Sequence, residues 1–335
     1  MNSPAASLLF TNSIFFSRLK VCPQRRHVCH RSMIAYMLHE AARLSLRFPA
    51  VVFSTLTYLM IMCCNLMIVV TIAINHNLHK PMYLLLLNLP ICDMIGATAF
   101  FPQMISSMLY QPRVISYWAC VLQALLTHTY GGGALLILTA MALDRYLAIC
   151  SPLSYNNIMT NNNLIKIITG IWLTDTFLMF TLIALAVRLN MCRNSISDMY
   201  CNNPSLTKLA CEGTHVNNFY GLFTIAFFQG TSLAVILFTY LQILFTCVFK
   251  KQADARSKAI QTCGAHLIVF LFLEFNAFIA LVAHRFENTP LFFRRALGVS
   301  VMIFPPLLNP LVYSFNTREI RKHILVFLKG KISPF

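Results

Sequence analysis

Apolar positions along this chain fall in long unbroken runs. They do not show the alternation of a half-buried strand or the one-sided stripe of a surface helix. Phe48–Ile74 contains no Asp, Glu, Lys or Arg, and Pro81–Tyr110 is interrupted only by Asp93. Ser116–Ile149 is apolar up to Asp144 and Arg145, and Leu164–Val187 carries Lys166 near its start and Asp175 within it. Asn217–Phe249 is free of charge, Ala259–Ala283 holds only Glu274, and Arg294–Phe315 is charged only at its first two positions. Each run reaches the roughly 20 residues needed to cross a hydrocarbon core. Backbone groups in lipid must be satisfied within their own segment, so the runs are predicted to be helices. The pattern predicts an all-α membrane protein, a seven-transmembrane helix bundle with a short cytoplasmic amphipathic helix after span seven. The connections are short except for Arg188–Val216, a polar stretch of 29 residues with three cysteines.

Composition agrees with a membrane chain. Of 335 residues, 58% are hydrophobic and 11% charged, and the mean hydropathy is +0.67. Soluble domains carry about 25% charged residues. A disordered chain, a collagen and a disulfide-stapled mini-domain are excluded, and an ordinary soluble enzyme is argued against. The 26 Lys and Arg against 10 Asp and Glu give a net charge of +16. In a soluble protein that excess would suggest nucleic acid. Here the basic residues lie between apolar runs, where they face headgroups and water. Membrane lipids are therefore expected partners and nucleic acid is not. The twelve cysteines form no CxxC pair, so no metal site is expected, nor any cofactor. No clustered acid–base set points to an enzyme, and no repeat points to a duplicated transporter.

Three regions are expected: an atypical basic tail at 1–47, a seven-span body at 48–316, and a cytoplasmic helix and tail at 317–335. With the N-terminus placed outside, inside segments hold twelve Lys and Arg and outside segments fourteen, seven of them before span one. Without residues 1–47 the balance becomes twelve inside against seven outside, as the positive-inside rule asks. The tail lacks a long apolar core with a small-residue cleavage site, so it does not read as a signal peptide. Its other reading is a gene-model artefact, with the chain starting at Met33 or Met37. No Asn-x-Ser/Thr acceptor with x other than Pro occurs anywhere.

Residues near the span ends form a set of motifs. Span three ends Met141-Ala-Leu-Asp144-Arg145-Tyr146-Leu-Ala-Ile-Cys150. Span six begins Lys258-Ala-Ile-Gln-Thr262-Cys263-Gly-Ala-His266-Leu267. Span seven ends Pro305-Pro306-Leu-Leu-Asn309-Pro310-Leu-Val-Tyr313, and span two opens Pro81-Met82-Tyr83 and carries Asp93. With these motifs in this order, the chain resembles the odorant receptors of the rhodopsin-like G-protein-coupled class over about residues 48–330. The wording of its spans is similar to fish odorant receptors.

The resemblance implies a plasma-membrane receptor that binds a small odorant and activates a stimulatory, olfactory-type heterotrimeric G protein. It implies no covalent chemistry. It also implies an activation switch at Asp144, Arg145 and Tyr146, with Tyr240, His266, Asn309, Pro310, Tyr313 and Asp93. Arg145 at a span end is costly unless paired, and Asp144 is its expected local partner. Pro310 removes a backbone donor, so a carbonyl is freed that Asn309 or a buried water is expected to satisfy. Asp93 matches a sodium-linked aspartate of the superfamily, yet Ala134 stands where related receptors carry a span-three Glu. Cys120, Cys192, Cys201 and Cys211 allow three connectivities. The family pattern implies Cys120–Cys201 and Cys192–Cys211.

The ligand is expected in the outer half of the bundle. Arg285, at the end of span six, is a candidate bidentate anchor for a carboxylate; an arginine snorkelling at the membrane face is the competing reading. His128 lies 17 residues before Arg145 on span three, at pocket depth. Glu274 is a buried acid for an amine, and with Arg285 would suit a zwitterion. A non-olfactory receptor of the same class and a membrane transporter are the alternative functions.

Overall fold

The structure is a computed structural model that describes residues 26–110, 114–196, 198–211, 213–249, 264, 267, 270–281, 283, 290–316 and 318–328. In chain order the helices are α1 (Arg26–Ile74), α2 (Pro81–Leu109), α3 (Tyr117–Cys150), α4 (Pro152–Ile158), α5 (Asn161–Val187), α6 (Asn203–Thr207), α7 (His215–Phe249), α8 (Phe270–Leu281), α9 (Leu291–Asn316) and α10 (Arg318–Leu328). Six are long and apolar enough to cross a bilayer, and α8 is the described part of the remaining apolar run. Among the described residues there is no β-strand, only an isolated bridge between Met191 and Ala210.

Local sequence sets many of the helix starts. Ser116 and Thr160 accept the N–H groups of Ala119 and Asn163 as side-chain caps. Pro81 and Pro152 open α2 and α4, where a missing N–H is harmless. Helix α1 begins at Arg26, well before the apolar run at Phe48. The stretch Ala35–Leu46 is rich in Ala, Leu, Met, Arg and Glu, good helix formers, which accounts for part of the tail being helical.

The packing is inverted relative to a soluble domain. Large apolar side chains point outward: Phe177 is 70% exposed and Phe219 75%. An apolar outer wall of this extent is stable only against lipid. The centre is α3, which packs against α2, α5 and α7, while α9 closes the bundle against α1 and α2. Leu86, Leu89, Phe100, Phe101, Tyr130 and Tyr313 are buried in one continuous core. Helix α10 folds back on α1 and α9, burying its own Ile320 fully.

Candidate functional site

One end of the bundle is closed by the long loop after α5. Two disulfides form there, Cys120–Cys201 and Cys192–Cys211. The ends of the inner ring pair antiparallel, with Cys192 N–H donating to Leu209 O and Cys211 N–H to Asn190 O, both at 2.9 Å. The loop is held at two further points. Gln123 of α3 accepts the Cys201 N–H at 2.8 Å and donates to Ala99 O of α2 at 2.8 Å. Asp198 accepts Arg294 Nε of α9 at 3.1 Å and the Ser205 hydroxyl at 2.8 Å. Loop, α2, α3 and α9 are thus locked together.

Beneath this lid lies a cavity of about 170 Å³. Its walls come from α3 (Thr127, His128, Gly131, Gly132), α5 (Met179, Leu182), α7 (Thr224, Phe228, Gln229), α8 (Ala277, Ala280) and α9 (Val301, Met302). The loop contributes Tyr200, Asn202 and Asn203. The Tyr200 ring stands edge-on to Phe100 at 5.5 Å and rests on Gly298 of α9. Burial, reinforced by Asp198 and opposed by its bond to Asn202, pushes the Tyr200 phenol up to about 12, so it faces the cavity as a neutral hydroxyl. His128 lines the cavity, its Nδ1 2.8 Å from Ala124 O. Glu274 is buried one turn from Ala277, and its Oε2 lacks a hydrogen-bond partner among the described residues. Arg285 and His266 lie outside the described residues.

Deeper in the bundle a polar layer joins α1, α2, α3 and α9. Helix α9 contains Pro305, Pro306 and Pro310. Each lacks an N–H, so the carbonyl four residues earlier loses its helical donor. Pro310 frees Pro306 O, and Asn65 of α1 supplies the missing donor at 2.9 Å. Pro305 frees Val301 O, which accepts the Tyr130 hydroxyl of α3 at 3.1 Å. This corrects the expectation for Asn309. Its Nδ2 donates instead to Asp93 Oδ2 at 2.8 Å, because it faces α2 rather than back along its own helix. Asp93 is fully buried, and its Oδ1 has no hydrogen-bond partner among the described residues. Among the described residues no cluster of three metal-ligating side chains occurs.

At the end opposite the loop, Asp144 has the expected ion pair with Arg145, at the long limit of such contacts, and a second, closer partner. Asp144 accepts a 2.7 Å bond from Tyr155 of α4, while Arg145 Nε lies 4.0 Å away. Burial first, and the bond to the Asp144 carboxylate second, hold the Tyr155 phenol above its ordinary value, which keeps it a donor. Arg145 Nε and Nη2 have no hydrogen-bond partner among the described residues. Tyr146 packs on Phe238 at 5.6 Å, and Tyr146 and Tyr240 both pack on Ile243 of α7. Tyr313 is buried in the central core.

Sequence reasoning missed Asn65, Tyr130, Tyr155, Tyr200, Asp198 and Arg294 as site residues. Asn65 had a signal, an amide in an otherwise apolar span; Tyr155 had none.

The Olfactory receptor family model matches residues 53–331. The chain is 36% identical to human olfactory receptor 52A5 over 280 residues, covering 82% of this chain and 89% of that protein. It is 33% identical to human olfactory receptor 52J3 over 275 residues, covering 81% and 88%. Mouse olfactory receptor 4E2 is 32% identical over 274 residues, with the same coverage.

Proposed function

Since the chain belongs to the olfactory receptor family of G-protein-coupled receptors, we propose that it binds a small carboxylate-bearing odorant in the cavity under the disulfide loop and activates a stimulatory, olfactory-type G protein. Membership of the family makes it a multi-pass plasma-membrane odorant receptor and not an enzyme. The carboxylate, the G-protein type and the orientation are our own reading. The N-terminus, including residues 1–47, lies outside. The four disulfide cysteines then sit in the oxidising compartment where such bonds persist. Residues 48–316 form the receptor body, and 317–335, with α10, face the cytoplasm beside Asp144, Arg145 and Tyr146.

The observation that carries this reading is a single helix. Helix α9 lines the cavity with Val301 and Met302, and within three turns it makes the Pro306–Asn65 and Asn309–Asp93 bonds. A ligand that moves α9 or α3 therefore acts on the same polar layer, on the helix that carries Tyr313. Activation is a population shift, in which the ligand binds the active bundle more tightly than the resting one. In the resting state Tyr155 occupies Asp144; in the active state Arg145 faces the G protein. Arg285 anchors the carboxylate, His128 donates to it, and Glu274 receives a second, basic group where the ligand has one. The test is cAMP in cells expressing the olfactory G protein, challenged with carboxylic acids, amino acids, amines and neutral odorants. An acid response lost in Arg285→Ala at normal surface level supports the anchor. A neutral-odorant response indifferent to that change keeps the receptor and discards the anchor.

A further inference from the structure

Span four carries an acid that the proposed mechanism does not use. Asp175 of α5 is 0% exposed, and neither carboxylate oxygen has a hydrogen-bond partner among the described residues. A buried ionised carboxylate without a partner is among the costliest groups a protein can hold. Its surroundings show where a partner would come from. A methyl group on Gly132 would lie 2.3 Å from Asp175 Oδ1, 2.8 Å from the Met179 methyl and 3.0 Å from a ring carbon of Phe228. A methyl on Gly133 would lie 3.6 Å from Asp175 Oδ2 and 3.1 Å from the Cys92 thiol. Two adjacent glycines on α3 thus clear the space the carboxylate occupies. Gly132, Met179 and Phe228 are also cavity walls. The Gly132 backbone, the end of Met179 and the Phe228 ring stand where the acid and the cavity meet. Methionine, unbranched and with three rotatable bonds, is the side chain best able to swing aside.

We propose that Asp175 is a concealed ligand-binding carboxylate: the cavity extends past Met179 into a subsite that takes the protonated amine of a small ligand. The subsite rests on the receptor reading and adds to its ligand class an amine, distinct from the carboxylate assigned to Arg285. The described cavity wall contains no Lys or Arg, and the acid beside Gly132 offers two acceptor oxygens without a hydrogen-bond partner among the described residues. An ammonium group brings the opposite charge and several donors to two unoccupied oxygens. A neutral donor would bring no charge to stabilise the ionised carboxylate. Gly132 is required at its position because any larger residue displaces Oδ1.

The test uses the purified full-length receptor in lipid nanodiscs. Melting temperature is followed against concentration of n-hexylamine, n-hexanol and hexanoate, for the unaltered chain, Asp175→Asn and Gly132→Ala. Ligand that binds only the folded state raises the midpoint, and its concentration dependence gives an apparent affinity. The expected result is a rise with n-hexylamine whose apparent affinity falls roughly tenfold or more in Asp175→Asn, the size of a lost charged hydrogen bond. Gly132→Ala should weaken it as well, with hexanol unaffected by the Asn variant. Ligand-free Asp175→Asn should melt at or above the unaltered chain, since a carboxylate held for a ligand is a burden without one. An amine shift unchanged in Asp175→Asn overturns the inference. So does the absence of any amine shift, which leaves Asp175 to a bound proton or an internal water. A marked fall in the ligand-free midpoint of Asp175→Asn also overturns it, because the carboxylate is then structural. A hexanoate shift without an amine shift removes the subsite while leaving the receptor reading in place.

Discussion

Asn65 and Tyr130 show how a helix rich in proline remains intact in lipid. Pro305 and Pro310 in α9 each orphan a carbonyl, and a side chain from another helix satisfies it. Asn65→Leu should therefore cost about 1–3 kcal/mol, the penalty of a buried acceptor left unmade. The check is the melting temperature of the purified receptor, with Asn75→Leu as a comparison, since the Asn75 side chain donates to the local Thr71 O. Tyr155→Phe should cost about 1–3 kcal/mol and lower ligand-free nucleotide exchange, because Asp144 loses its 2.7 Å donor and becomes free to hold Arg145. Unchanged basal exchange would remove Tyr155 from the switch. The identity of the polar residues was legible in the chain, because a charge or amide inside an apolar run stands out. Their partners were not. Asp144 and Arg145, neighbours in sequence, do pair at 4.0 Å, but successive helical side chains point about 100° apart, and the closer partner of Asp144 comes from the next helix.

Close approach between helices depends on where side chains are missing. Gly96 of α2 lies so close to α3 that a methyl there would sit 2.4 Å from the Tyr130 ring. Gly96→Ala should force the two helices apart and cost roughly 1–3 kcal/mol, read as a lower melting midpoint and slower surface delivery. Gly170 of α5 has nothing within 4 Å, so Gly170→Ala should leave the midpoint level or slightly raised. The lid is a second element with a definite fastening. Removing the Arg294 guanidinium breaks its buried 3.1 Å pair with Asp198, a loss of about 3–5 kcal/mol. Arg294→Ala should therefore speed amide hydrogen exchange over residues 198–206 more than in the helices. At this scale the sequence was informative. The spans followed from run length, since lipid demands long apolar helices, and the family pattern implied the disulfides seen in the structure. The helical extension to Arg26 was not legible in the apolar pattern, because hydropathy marks the membrane boundary and not the end of a helix.

The whole molecule has two ends with different contents and a polar layer between them. Lid and cavity lie at one end, Asp144 and Arg145 at the other, and α3 and α9 reach both. That layout fits a receptor whose working part is the coupling and not the chemistry of a single residue. It also explains why ligand class was the least legible property. An odorant is held by shape and by a few polar groups drawn from five helices and a loop, and no short motif encodes such a set. The most direct test of the coupling is odorant-evoked cAMP in cells expressing the olfactory-type G protein. The unaltered receptor, Arg145→Ala and the cavity-filling Gly131→Leu would be compared at matched surface levels. We predict a concentration-dependent response to at least one odorant in the unaltered receptor, abolished in Arg145→Ala and shifted at least tenfold to higher concentration in Gly131→Leu. A response that survives Arg145→Ala undiminished, or one indifferent to filling the cavity, would contradict the account.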